Sequence, residues 1–223
     1  MKIYKLNQIV FSLQNNPAEF LQGLTTNTAI SPVNAFVNIH GRTIAVAAQI
    51  KISDQEILLV IEPGVKDALS AHLDRYLKLT GTKLQQIEKN VYFDLESSAA
   101  LADGDKIISQ KQGRLIITGR TLSSNVSNEE FTLFRLAHSI PLQGVDYTDD
   151  FILNVDESLV SFTKGCFLGQ EPISKVHNRS KPTWKLVVRE ENKCSPEELA
   201  KMTSKALDPA TGKLKGFVFV KNE

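Results

Sequence analysis

SFTKGCFLGQEPISKVHNR, residues 161–179, sets one cysteine between Gly165 and Gly169, with a lysine two positions before it. Glycine at 165 leaves the Cys166 thiol sterically open and allows a positive φ if the turn needs one. Phe167 and Leu168 are apolar and anchor the turn in the core. Pro172 suits the first turn of a helix, where its missing N–H costs nothing. The stretch therefore reads as strand or coil to Thr163, a tight Lys-Gly-Cys turn, and a short helix over about 171–178. Cys166 would then lie just before a helix N-terminus and beside the Lys164 ammonium, and both neighbours favour thiolate over thiol.

Each of these residues also has a plain structural use. A free cysteine usually behaves as a small buried hydrophobe. Lys164 either pairs with the thiolate or is a solvated lysine before a turn. Gln170 offers a donor and an acceptor to a heterocycle edge, or caps the helix. Glu171 binds a cationic or amide-bearing group, or complements the helix dipole. His177 and Arg179, near the helix end, suit the same dipole.

Three further segments accompany this one: FLQGLTTN at 20–27, FVNIHGRT at 36–43 and IPLQGVD at 140–146. KGCFLGQE, residues 164–171, resembles the KGC[FY]-x-GQE signature of the YgfZ-type folate-binding proteins. These are relatives of the glycine-cleavage T-protein (aminomethyltransferase) and include mitochondrial iron–sulfur assembly factors. The other segments resemble that family's FLQ-x-LTTND, x-GR hairpin and IP-x-x-G-x-D pieces, in the same order, from about Leu6 to Arg179. The resemblance implies an α+β fold: a T-protein-like body of two pseudo-related α+β halves, with antiparallel sheets around a central cavity, over 1–180. A truncated, β-barrel-like C-terminal tail follows over 181–223. It also implies a site. Cys166 and Lys164 take the catalytic positions, and Gln170, Glu171, Asn27 and Thr26 border a cavity that receives tetrahydrofolate or a derivative. Phe167, Phe36 and Trp184 are candidate walls.

Composition fits a globular protein. The chain has 223 residues and a net charge of +1, so nothing points to electrostatic capture of nucleic acid. No apolar run approaches the roughly 20 residues of a membrane-spanning helix, and residues 1–11 lack a signal-peptide pattern. Two cysteines, Cys166 and Cys194, make a disulfide framework a poor fit. They are also too few for a Cys₄ cluster, and the four histidines show no metal-ligand spacing. The expectation is a cytoplasmic protein without a metal site of its own.

Along the chain, 7–13, 36–39, 44–52, 57–61, 83–95, 107–108, 114–118, 184–189 and 216–221 read as strands, and 15–23, 65–79 and 97–103 as helices. Residues 123–128 are polar and read as a flexible surface loop. Residues 129–137 fit helix or strand, 140–150 a loop, and 196–202 a short helix or turn before the DPATG turn at 208–212.

Departures from the family pattern shape the functional expectation. Thr28 stands where the TTND segment has an acid. The stretch Thr43-Ile44-Ala45-Val46-Ala47 lacks the acid that orients folate in the aminomethyltransferases. Lys175 stands where arginine is common, which weakens a bidentate contact. The resemblance with these departures points to a folate binder that supports assembly or repair of iron–sulfur enzymes, tRNA-modifying ones among them, with Cys166 as its key thiol. Its partners would be iron–sulfur assembly proteins. A folate-dependent aminomethyltransferase and a non-catalytic interaction module are the alternatives.

Overall fold

The structure, a computed structural model, describes residues 1–222; Glu223, the end of the expected tail, lies outside the described residues. The elements run β1 (Ile3–Leu6), β2 (Ile9–Gln14), α1 (Pro17–Gln22), β3 (Val33–Val37), β4 (Thr43–Ser53), β5 (Glu56–Ile61), α2 (Lys66–Thr80), β6 (Lys83–Ile87) and β7 (Asn90–Asp94). They continue with β8 (Lys106–Ser109), β9 (Arg114–Thr118), α3 (Asn128–Ala137), α4 (Ile152–Val155), α5 (Gln170–Arg179), β10 (Trp184–Glu190), α6 (Pro196–Lys201), β11 (Thr203–Asp208) and β12 (Lys213–Lys221).

These strands form three antiparallel sheets, ordered β3-β4-β5-β2-β6, β1-β7-β9-β8 and β10-β12-β11. The first is covered on both faces, which is why β5, EILLVI, is apolar from Ile57 onward. Ile57, Leu59 and Ile61 join Phe20 and Leu21 of α1 and Leu69 and Leu73 of α2. Leu58 and Val60, on the opposite face, join Phe93, Leu115 and Phe131 of the second layer. The α2 periodicity is realised, and Gly81, at φ 70°, ends the helix with its N–H on the Leu77 carbonyl.

The structure corrects three expectations. The single strand over 83–95 is two strands: β6 pairs with β2 in the first sheet, and β7 pairs with β1 and β9 in the second. The polar Glu88 and Lys89 mark the crossing. Residues 97–103 form no helix. The buried Asp94 accepts from the Ala99 N–H at 2.9 Å, and Arg114 donates to the Ala99 carbonyl at 2.7 Å, so tertiary bonds override local helix preference. Nor is 123–128 a free loop. Asn125 Oδ1 accepts from the Ile3 N–H at 2.8 Å, and the Asn125 and Val126 N–H groups donate to the Ile3 carbonyl. The segment straps the open edge of β1. Residues 129–137 resolve as helix because Ser127 and Glu130 form a capping box.

The C-terminal sheet does not close into a barrel, as three strands cannot. Its middle strand pairing includes β11, which the sequence reading passed over. The sheet packs on the body through Leu186, Ala206 and Phe217 against Leu136, Tyr147 and Val155. Beside that apolar patch, Asp146 is buried with Arg135 at 2.7 Å. Asp146 also accepts from the Leu142 N–H at 2.9 Å, from Thr203 Oγ1 at 2.8 Å and from Ser204 Oγ at 2.6 Å. Among the described residues no helix is long and apolar enough to cross a membrane.

Candidate functional site

The two larger sheets and the segments joining them line a half-open cavity of about 480 Å³. Its apolar walls include Val46, Val60, Phe93, Leu115 and Phe131. Strand parity decides which polar groups reach it. Val60 faces the cavity, so Glu62, two residues on, continues the same face. In the β2–β5 ladder Ile9 pairs with Ile61, which brings Gln8 opposite Glu62. Gln8 Nε2 donates to Glu62 Oε1 at 2.7 Å. Burial pushes the Glu62 carboxyl above its ordinary range, opposed by the Gln8 bond and by the positive Arg135.

Asp156 and Lys111 meet at 2.5 Å in the same cavity wall. Burial works against the Asp156 charge, yet bonds from Lys111 and Ser158 hold its carboxyl below the usual range. Burial pushes the Tyr147 phenol up, so it stays neutral. Gln143 is spent on structure. Its amide donates to the Ile44 and Thr148 carbonyls at 3.2 and 3.1 Å and accepts from the Val46 N–H at 2.8 Å.

The expected site residues are only partly brought together. Asn27 lines the cavity. Thr26 is fully buried behind it and donates to the Leu159 carbonyl at 2.6 Å. Lys164 does not turn toward Cys166. Its ammonium donates to the carbonyls of Thr25 at 2.6 Å and Asn27 at 2.9 Å, and lies 5.2 Å from the Phe167 ring centroid. Cys166 is exposed, and neither it nor Gln170 nor Glu171 is among the residues lining the cavity. Glu171 instead borders an outer groove with His40, Lys175 and Arg179.

The physical reason lies in the turn. Phe167 is buried with Ala35, Val37 and Ile173, while the Leu168 N–H bonds the Gly23 carbonyl at 2.9 Å. The octapeptide thus fastens the 23–27 loop from outside, and its cysteine points to solvent. The expected aromatic walls are elsewhere too: Phe36 and Phe167 are core, and Trp184 is exposed on the tail sheet.

Sequence reasoning missed Glu62. The Thr43–Ala47 stretch indeed carries no acid, but a carboxylate reaches the cavity from the end of the neighbouring strand. Alternation continued past Ile61 was the available signal. Among the described residues no group of three or more His, Cys, Asp or Glu side chains is placed to hold a metal ion.

Lys164 offers a stability test. Burial pushes its ammonium down to about 8, whereas an unfolded lysine holds its proton to about 10.4. Between these values the unfolded chain binds more protons, so the Lys164 contribution to stability rises with pH. Lys164→Met should cost about 1–3 kcal/mol near neutral pH, through the two lost carbonyl bonds. The gap between wild type and variant should widen from pH 8 toward about 10, as read by denaturant melts. A gap that narrows in that window would contradict the sign.

The arrangement of these three sheets is similar to the fold of a glycine-cleavage aminomethyltransferase. A solved structure of the glycine cleavage system aminomethyltransferase T from Bartonella henselae matches with a TM-score of 0.76 at 12% identity, covering 99% of this chain and 78% of that chain. At that identity the likeness shows the fold alone. No family model matches the sequence, and no curated protein matches it.

Proposed function

We propose that this chain binds a folate-like molecule, tetrahydrofolate or a derivative, in the central cavity. The observation that carries the reading is a T-protein-like fold with a half-open cavity of about 480 Å³, mostly apolar and with a few fixed polar groups. Such a site suits a flat heterocycle. On this reading Asn27 contacts the ligand, and Thr26 and Lys164 hold the loop that presents it. Residues 1–180 are the ligand-binding body and 181–223 a tail that braces one side.

We further propose a cytoplasmic role in assembly or repair of iron–sulfur enzymes, tRNA-modifying ones among them. The signature octapeptide supports that role. Cys166 is exposed, so its thiol, with Gln170 and Glu171 beside it, would act on a partner protein. Calorimetric titration with tetrahydrofolate should give micromolar binding; no binding at millimolar ligand would favour the interaction-module alternative. In cells lacking the gene, Cys166→Ser should fail to restore iron–sulfur enzyme activity, and full restoration would remove the thiol from the account.

One observation favours aminomethyl transfer as a second reading. Glu62 supplies the cavity with a carboxylate that a cationic amine could use. Turnover with tetrahydrofolate and an aminomethyl donor decides it.

A further inference from the structure

We propose that the outer groove between α5 and the β3–β4 turn is a docking site for a short extended segment of a partner protein, one that carries carboxylates beside an apolar side chain. The proposal deepens the reading of Cys166 as a thiol that faces a partner, and rests on that reading only for what the docked segment brings to the sulfur.

Ion-pair accounting is the first argument. Of the chain's seven arginines, Arg42, Arg114, Arg120, Arg135 and Arg189 pair with carboxylates, and Arg75 bonds the Tyr76 hydroxyl. Arg179 alone has no partner among the described residues, and Lys175, one turn before it on the same face of α5, has none either. Both line the groove, and His40 joins them from the opposite wall. The basic groups just outside are already matched: Arg42 with Asp149 at 3.2 Å, and His177 with Glu157 at 2.9 Å. Two like charges one helical turn apart repel each other. A carboxylate set between them relieves that repulsion, and the Arg179 fork can take it with two parallel N–H bonds.

The second argument is what else lines the groove. The helix dipole accounts for cations in the last turn of α5, but not for the apolar side chain opposite them. Ile39, at the tip of the β3–β4 turn, is 62% exposed and faces the same groove. At the other end stands Glu171, eight helical residues or about 12 Å from Arg179. That is the reach of about four extended residues. A phosphodiester backbone laid along this line would set a phosphate against Glu171 and leave Ile39 bare. A peptide meets all three, with acids on Lys175 and Arg179, an apolar side chain on Ile39, and a donor or cation on Glu171. The walls are already in place, since Val37 and Ile173 share one core cluster and Asn38 Oδ1 accepts from the His40 and Arg42 N–H groups at 2.9 and 3.1 Å. Docking therefore orders little of this chain. Cys166 is exposed just before α5, so a segment anchored on Arg179 and running past Glu171 heads for the thiol.

The test is fluorescence anisotropy on the full chain with a short labelled peptide that carries Asp, Glu and Leu in one half and Lys in the other. Its comparison probes are the same peptide with Asn and Gln for the acids, and a single-stranded RNA of similar length. Wild type should bind the acid peptide about tenfold more tightly than the amide peptide, and Lys175→Glu/Arg179→Glu should lose about that factor. Lys5→Glu/Lys201→Glu makes the same change in net charge at two exposed positions elsewhere, and should shift affinity by less than about twofold. Saturating peptide should also slow iodoacetamide alkylation of Cys166 by about threefold or more, read by peptide mass mapping. Equal affinity of wild type and the groove variant, or no binding at millimolar peptide, overturns the proposal. RNA bound more tightly than the peptide, and lost in the groove variant, makes this a nucleic-acid surface and overturns it too. Groove-dependent binding with an unchanged Cys166 alkylation rate sustains the docking site and removes the partner-facing thiol. Protection of Cys166 by a peptide whose affinity ignores Lys175 and Arg179 does the reverse. Should the double variant fail to fold, Arg179→Ala decides: a loss of about threefold is expected, and an unchanged affinity overturns the proposal.

Discussion

Asp146→Ala is expected to cost about 3–5 kcal/mol, the range for removing one partner of a buried ion pair. Four donors converge on this carboxylate: Arg135 Nη1, the Leu142 N–H, Thr203 Oγ1 and Ser204 Oγ, at 2.6–2.9 Å. Alanine leaves all four short of a partner, and the Arg135 guanidinium stays buried without its counter-charge. Two of the donors belong to β11, so the loss falls on the joint between body and tail. Denaturant melts should show the drop, and limited proteolysis should cut the tail sheet before the body. Asp146→Asn keeps the shape and some acceptor capacity, so it should fall between wild type and alanine. A cost under about 1 kcal/mol for Asp146→Ala would mean that the network breaks even against its desolvation.

Gly169→Ala is expected to cost about 2–5 kcal/mol, combining left-handed backbone strain with overpacking. Gly169 has φ 80°, and a Cβ there would run into the Asn38 carbonyl and come within 2.9 Å of Val37 Cγ2. Neither obstacle is the end of a flexible side chain. Because Gly169 opens α5, the helix would have to lift off β3 and take Phe167 with it. The control lies four residues upstream. A Cβ on Gly165 meets only the Gln22 amide, at 3.5 Å, so Gly165→Ala should change stability by less than about 1 kcal/mol. Equal melting temperatures for Gly169→Ala and wild type would refute the packing argument.

That contrast also marks the limit of what the residues disclosed. The turn, the helix after it and the Pro172 position could be read from the sequence, as could the double-faced β5. Which of two glycines carried the strained φ could not, because the demand comes from Asn38, far away in the chain. Strand parity was legible locally, but Gln8 and Glu62 meet only through the β2–β5 register. The break between β6 and β7 was hidden for a similar reason. Both halves look like strand, and only sheet membership separates them. The site suffered most. Cys166, Gln170 and Glu171 lie outside the cavity lining, and nothing local says that the Lys164 ammonium would prefer two carbonyls of the 25–27 loop to a sulfur two residues away.

The strap over β1 bears on how the chain emerges during synthesis. All five strands of the first sheet lie within residues 9–87, so that sheet can assemble while the rest is still on the ribosome. The Ile3 N–H and carbonyl wait for Asn125, 122 positions downstream. Until then the amino terminus offers a bare strand edge to whatever else is nascent nearby.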